Sequence, residues 1–390
     1  MKRAVLWWCW AALVTPPAPA QGLKVSTPLD SLEATARRDS NDAAAHYQLA
    51  LGYWAKKRFD EAGRSLRTAV TIERRFAPAY LALAYLPYAR RRKLMEEEVK
   101  GRVPAEWRDS VVESWRLRRR AFLIDPLVDL RIIGAIVPLS QGIVLSGSRG
   151  QVVFSMDPFS AFVRGDYRFA YDAFNSVATE FTKAHRDSIP TGLLWYRGLS
   201  AGHVAAYDTA IADFSALVAR GEALERADSV VRIPLNTNDC RYVLALFHYR
   251  ASHLAEAIRL YQEALGNDLG LFMAHVQMGK IYEQQQKWPE AVDQFQRAVA
   301  VNPDDPSVLL DLGVVLREAG RFQESAETLQ RAMDANPRDS RVPYHLGITL
   351  QADGRGPEAV VALKRFLALA PSRYRRQILD AELRVAALDN

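Results

Sequence analysis

The seven histidines and two cysteines are the first side chains to consider for metal binding or catalysis, because imidazole and thiolate serve both roles. The histidines are scattered between residues 46 and 345, and none belongs to a His-Glu-x-x-His motif of the kind found in zinc proteases. Neither Cys9 nor Cys240 joins a histidine cluster with the spacing of a metal site. The sequence therefore predicts no metal centre.

Motifs for phosphate binding and nucleophilic attack are also missing from the sequence. The stretch SGSRG at 146–150 lacks the Gly-Lys-Ser/Thr that grips phosphate in a P-loop, and it lacks the Gly-x-Ser-x-Gly of a nucleophile elbow. No Ser-x-x-Lys pair stands out. We expect no catalytic residue and no cofactor, and therefore no enzymatic activity.

A pattern of 34 residues organises the C-terminal part of the chain. Each copy contains a small residue, then an aromatic residue or leucine four positions later, as in the stretch KWPEAVDQFQRAVAVNP. The four copies follow one another without gaps, at 238–271, 272–305, 306–339 and 340–373. A repeat of this length predicts one supersecondary unit per copy.

Each copy has the periodicity of two packed helices. Its first half spaces apolar residues three and four apart, as in Leu312 and Leu316, around a glycine or alanine that lets a second helix come close. Its second half supplies the facing stripe, for example Leu329. A proline such as Pro337 then ends the second helix, because proline has no amide donor and clashes with the preceding turn.

This pattern resembles the tetratricopeptide repeat, whose consensus is Trp-x2-Leu-Gly-x2-Tyr, then Ala-x3-Phe, then Pro. The tryptophan position departs from that consensus and holds Arg241, His275, Leu309 and Pro343. The resemblance implies an all-α, right-handed superhelical solenoid, because one helical pair cannot bury its apolar face without neighbours.

The same template extends towards the N-terminus. Residues 43–76 and 191–224 fit it, whereas 77–126 and 127–184 fit it with about 16 and 24 surplus residues. We expect about eight helical pairs and two inserted segments. The predicted organisation is a signal peptide at 1–20, an N-terminal half-repeat at 21–42, a degenerate array at 43–237 with insertions near 90–107, 138–163 and 225–237, regular repeats at 238–373, and a capping helix at 374–390.

The N-terminus has the composition of a secretory signal. Lys2 and Arg3 precede an eleven-residue apolar run, and Ala18 and Ala20 supply the small residues that precede cleavage before Gln21. The run is too short to span a bilayer. We expect a protein exported across the inner membrane, periplasmic or secreted, whose mature chain keeps one cysteine and no internal disulfide.

The resemblance implies that the first helices of successive repeats line a concave groove. Aromatic side chains on that face can anchor a protein or peptide partner. The alternative, which the sequence leaves open, is that the insertions cover these rings. The candidate groove residues are Tyr47, Trp54, Tyr85, Tyr88, Trp195, Tyr196, Tyr242 and Tyr249.

Later first helices offer a polar, mixed-charge face instead. The carboxylate clamp that the family uses for chaperone tails needs lysine and asparagine at set positions. Tyr47 with Leu51, or Val276 with Lys280, stand there, so that activity does not carry over. The polar residues of this face are Gln277, Lys280, Glu283, Asp311, Arg317, Tyr344 and Gln351.

Charge and hydropathy leave two further alternatives. The net charge of +6 becomes +4 without Lys2 and Arg3, which is too mild to indicate nucleic acid. We favour an exposed helix extension for the charged run that begins this region, and the alternative is that arginines within 90–120 converge into a patch for an anionic membrane surface. The apolar stretch 132–145 predicts a buried first helix followed by a loop, and the 138–163 insertion could instead build an enzyme or sugar-handling site.

The sequence thus favours a non-catalytic scaffold of the bacterial cell envelope that binds a protein or peptide partner in its groove. Peripheral membrane contact is the alternative to such a partner.

Overall fold

A computed structural model describes residues 25–129, 143–147, 150–154, 158–183, 189–226 and 236–389. It divides into two compact units. The middle unit contains Tyr80–Asn267, and the terminal unit combines Val25–Ala79 with Asp268–Asn390. The predicted signal peptide at 1–20 lies outside the described residues.

Almost all described elements are α-helices. In the first half of the chain they are α1 (Leu29–Arg38), α2 (Ala43–Ala55), α3 (Phe59–Ile72), α4 (Ala77–Arg90), α5 (Arg92–Val99), α6 (Arg108–Ile124), α7 (Pro158–Arg164), α8 (Tyr167–Lys183) and α9 (Thr191–His203). They continue with α10 (Tyr207–Arg226), α11 (Thr237–Arg250), α12 (Leu254–Asn267), α13 (Phe272–Gln284), α14 (Trp288–Val301), α15 (Pro306–Glu318), α16 (Phe322–Ala335), α17 (Arg341–Ala352), α18 (Gly356–Leu369) and α19 (Arg375–Leu388).

Consecutive helices pack as pairs, and glycine sets how closely they approach. A Cβ atom at Gly313 of α15 would lie 2.5 Å from Cγ of Leu329 in α16. Gly279 and Gly347, one repeat away on either side, face Phe295 and Leu363 in the same way. The predicted all-α architecture of stacked helical pairs is confirmed.

Turn geometry repeats with the same period. The second residue after each of α13, α15 and α17 takes a left-handed backbone conformation, with φ of 56° at Gln286, 75° at Gly320 and 78° at Gly354. Glycine adopts this conformation without strain, whereas Gln286 carries a Cβ that disfavours it.

The helix ends also agree with the sequence. α14 and α16 stop before Pro303 and Pro337, and the main-chain N–H of Asn336 donates to the carbonyl of Ala332. After the last pair, α19 packs Ala381 against Leu363 and Phe366. It is therefore the predicted C-terminal capping helix.

A two-stranded sheet corrects the expectation that the 138–163 insertion is a loop. Strands β1 (Ile143–Gly147) and β2 (Gly150–Phe154) pair antiparallel, with Ile143 opposite Phe154. Runs of β-branched residues such as Val144 and Val152 favour this pairing. The buried first helix expected within 132–145 falls mostly on residues 130–142, outside the described part of the chain.

Candidate partner-binding surface

Four of the eight predicted groove aromatics are core residues. The exposed fraction of the side chain is 5% or less for Trp54, Tyr88, Trp195 and Tyr242. A ring this deeply buried cannot supply the accessible area that a binding anchor needs. The structure therefore corrects the prediction of a partner-binding role for these four residues.

The insertion near 90–107 explains the burial of Tyr88. It folds into α5 and a short 3-10 helix, Ala105–Trp107, and it packs Leu94 against Tyr88 together with Val111 of α6. Arg118 donates a hydrogen bond of 3.2 Å to the Tyr88 hydroxyl. Burial raises the pKa of that hydroxyl well above its usual value.

The end of α6 explains the burial of Trp195 and Tyr242. Phe122 packs edge-on against Trp195 with ring centroids 6.0 Å apart. The hydroxyl of Tyr242 donates to the carbonyl oxygen of Leu123 over 2.7 Å. A buried tyrosine hydroxyl needs such a partner. The middle unit thus uses these rings to fix α6 against α9 and α11.

The other four predicted aromatics are half-buried. Tyr47 contacts Phe76 in an edge-on arrangement, with ring centroids 5.6 Å apart. Arg118 lies 5.5 Å from the ring centre of Tyr85. Tyr196 packs against two phenylalanines of α7. These rings, with Tyr249, keep some accessible area, and a partner-binding role for them remains a proposal.

The terminal unit presents a polar face on its successive first helices. We call the set Lys280, Glu283, Asp311, Arg317, Glu318, Tyr344, His345 and Gln351 the polar surface. Two positions of the repeat supply most of its members. Asp311 and His345 stand at one of them, and Glu283, Arg317 and Gln351 stand at the other. A period of 34 residues places equivalent positions on the same face of neighbouring helices.

Direct contacts connect the polar surface from helix to helix. A nitrogen of Arg317 in α15 lies 3.3 Å from Nδ1 of His345 in α17. Gln351 of α17 in turn accepts a hydrogen bond of 2.7 Å from Arg384 of α19. Tyr344 donates to the carboxylate of Asp380 over 3.0 Å. The first helices therefore lie side by side along this face.

Charge is concentrated at the α13–α15 end of the polar surface. Burial raises the pKa of Glu283, and the nearby carboxylates of Asp311 and Glu318 raise it further, while Lys280 lowers it. The pKa of His345 is lowered instead, to about 4, because burial and the positive charge of Arg317 both disfavour the charged imidazole. The imidazole is therefore neutral at pH 7.

Arg75 is a member of this site that sequence reasoning missed. It follows α3, and its guanidinium forms an ion pair with Asp311, 236 residues away in the chain. The Nε and Nη2 atoms are buried and have no hydrogen-bond partner within the described residues. No local pattern signals such a contact, since it depends on which parts of the chain meet.

Five of the arginines near 90–120 make intramolecular contacts. Arg119 makes two hydrogen bonds of 2.7 and 2.8 Å to Asp239, a residue of α11 that is almost fully buried. Other members of the group are neutralised or covered by intramolecular contacts. These pair Arg91 with the ring of Trp107, Arg116 with Glu113, Arg118 with Glu98, and Arg120 with the ring of Tyr80.

Neither a metal site nor a membrane-spanning helix is found in the described residues. These contain no group of three or more histidine, cysteine or acidic side chains placed to hold a metal ion. Within the same residues, no helix combines the length and the apolar character needed to cross a bilayer.

Family models identify the repeat. Residues 43–76 and 276–340 both match models described as tetratricopeptide repeat. Two stretches of this α-helical chain therefore match the tetratricopeptide repeat, and both lie in the terminal unit. Proteins built from this repeat are generally scaffolds for protein interactions. No curated protein matches the chain.

Several solved structures are similar over part of the chain. MamA of AMB-1 is 19% identical over 47% of this chain and 92% of its own, with a TM-score of 0.36. MamA residues 41 to the end, from Desulfovibrio magneticus RS-1, are 16% identical over 47% and 97%, with a TM-score of 0.40. YrrB, titled a TPR protein with an unusual peptide-binding site, is 22% identical over 39% and 77%, with a TM-score of 0.34.

Proposed function

We propose that this protein is a non-catalytic scaffold whose polar surface binds a protein or peptide partner in the bacterial cell envelope. The observation that carries the proposal is the row of charged and polar side chains at equivalent positions of α13, α15 and α17. Core positions of the same helices are apolar and buried, as at Leu312 and Leu346. The polar positions are therefore not needed for the apolar core, and they keep partial exposure through which a partner can reach them.

Mixed charge along a helix-lined face suits an extended peptide. The face offers donors and acceptors to charged side chains at several points along a peptide, through Lys280, Glu283, Asp311 and Arg317. Complementary charges contribute mainly to specificity and to the rate of association. We therefore expect a partner segment that itself carries both signs of charge.

Charge reversal on the polar surface tests the proposal. The variant Lys280→Glu/Arg317→Glu should lose the partners that the wild-type protein captures by crosslinking in envelope fractions. The matched control is Arg331→Glu/Arg365→Glu, which makes the same charge change at exposed positions of the second helices α16 and α18. Equal capture by both variants would show that the polar surface is not the binding site.

The location in the envelope rests on the N-terminal sequence. The positive start, the short apolar run and Ala18 and Ala20 support export. Mass spectrometry of the protein from a periplasmic or culture fraction should find a mature N-terminus at Gln21. A full-length chain recovered from the cytoplasm would contradict the proposal.

The alternatives from the sequence predict different behaviour. A cationic membrane-surface protein would bind vesicles containing anionic lipid, and the binding would weaken steeply between 50 and 500 mM salt, roughly as the Debye length falls. A sugar-handling site in the 138–163 insertion would be lost when that segment is shortened, with partner capture unchanged.

A further inference from the structure

Hydrogen bonds join the first repeat of the terminal unit to its last repeats. The side-chain amide of Asn336, in the turn after α16, donates to the carbonyl oxygens of Thr71 and Ile72 over 3.1 and 2.9 Å. These carbonyls belong to the last turn of α3, where main-chain acceptors lack partners within the helix. Asn336 therefore holds the end of α3 against the turn between α16 and α17.

A second group of contacts involves the turn between α1 and α2. The carboxylate of Asp39 accepts hydrogen bonds of 2.9 and 3.1 Å from the main-chain N–H and the hydroxyl of Ser372. Arg373 lies 3.1 Å from a carboxylate oxygen of Asp42. Arg338 donates to the carbonyl oxygen of Ser40 over 2.6 Å. We call these contacts, together with those of Asn336, the latch.

The latch places Arg75 on the polar surface. Three carboxylates cluster there, those of Glu283, Asp311 and Glu318, and the first helices supply Lys280 and Arg317 as cations. Arg75 provides the third positive charge by pairing with Asp311. A basic residue from the first repeat thus lies beside the acidic residues of a face formed by the last repeats.

We propose that residues 25–79 act as an internal ligand of the polar surface, with Arg75 occupying the position of a basic side chain of the partner. The inference rests on the proposed function and adds to it the chemistry of one contact and a means of regulation. A partner that brings an arginine or lysine to Asp311 displaces Arg75. Opening of the latch raises the affinity of the surface for basic peptides.

The contacts of the latch have the character of a reversible association. They are hydrogen bonds and ion pairs at turns, in which the partly exposed Arg373 meets the buried Asp42, while Asp39 and Asn336 are buried. The Arg373 pair, whose cation is partly exposed, is the one that salt screens most and that contributes least. A ligand can shift such an equilibrium when it binds only the open state.

The direct test uses Arg75→Ala and a defined probe. A fluorescently labelled tetra-arginine peptide is titrated with the whole mature protein, and binding is followed by anisotropy. Arg75→Ala should bind the peptide about ten times more tightly than wild type, because it leaves the Asp311 carboxylate unpaired. Adding Asp311→Asn to this variant should remove the gain. Equal affinity of wild type and Arg75→Ala would overturn the proposal.

The latch itself is tested by hydrogen exchange in the full chain. Asn336→Ala/Ser372→Ala should speed exchange of the amides in Ala43–Ile72 at least tenfold and should also tighten peptide binding. Exchange that is unchanged in this variant would overturn the role of the latch. The Lys280→Glu/Arg317→Glu variant separates this proposal from the proposed function. If it still captures cellular partners while the peptide and exchange results are as expected, the proposed function fails and the contact between Arg75 and Asp311 stands as an internal ligand.

Discussion

The close approach of paired helices predicts that an added methyl group destabilises the terminal unit. A Cβ at Gly313 would lie 2.5 Å from Cγ and 2.7 Å from Cδ2 of Leu329, whereas carbon atoms prefer about 3.5–4.0 Å. Leu329 has no exposed surface into which it could move. The two helices must therefore separate by about 1 Å, and overpacking of this kind costs about 1–3 kcal/mol.

Helix propensity opposes this cost. Alanine is favoured over glycine inside a helix by about 1 kcal/mol, so the net destabilisation expected for Gly313→Ala is up to about 2 kcal/mol. The control is Gly356→Ala at the start of α18, where an added Cβ would meet Leu388 at an ordinary 3.6 Å. That variant should stay within about 0.5 kcal/mol of wild type.

Urea unfolding followed by circular dichroism measures both variants. Gly313→Ala should lower the midpoint of the transition, and Gly356→Ala should leave it nearly unchanged. Should Gly313→Ala prove as stable as the control, close packing against Leu329 is not the reason for glycine at this position.

Three further predictions concern the turn, the core and the pH response. Gln286→Gly should stabilise the protein by up to about 1 kcal/mol in thermal unfolding, because it removes a Cβ from a left-handed residue, whereas Gln286→Ala should bring no gain. Asp213→Ala should cost about 3 kcal/mol in urea unfolding, since Asp213 is buried and its loss leaves Arg197 without its ion pair. The pKa of His345 is about 4 in the folded protein, against an ordinary value of 6.5 for an exposed histidine, so the unfolded chain binds more protons between these two pH values. The contribution of His345 to stability should therefore fall by about 2 kcal/mol from pH 7 to pH 5, and His345→Gln should make the pH dependence of unfolding shallower by about this amount.

The repeat architecture could be predicted from local patterns. Apolar residues at helical spacing, a glycine such as Gly313 and a later proline such as Pro337 specify one helical pair, and the 34-residue period repeats it. Each pair packs mainly on its neighbours, so contacts close in sequence determine most of this architecture. The helix pairs, their turns and the capping helix follow from the sequence for that reason.

Accessibility of the groove could not be predicted in this way. Trp195 and Tyr242 occupy first-helix positions that the repeat pattern leaves available, and the same pattern cannot show that α6 reaches them. Insertions lack the period, so neither their helices nor the strands of the 138–163 segment follow from the template. Burial depends on all neighbours of a side chain, and here those neighbours come from the irregular segments.

The polar surface also combines features that the sequence predicts with a contact that depends on the tertiary structure. The sequence by itself determined that residues 283, 317 and 351 share one face, because equal spacing fixes equivalent positions on successive helices. The tertiary structure alone decided that Arg75 pairs with Asp311 across 236 residues. Such a contact depends on which distant parts of the chain meet in the terminal unit, and no single stretch of sequence contains that information.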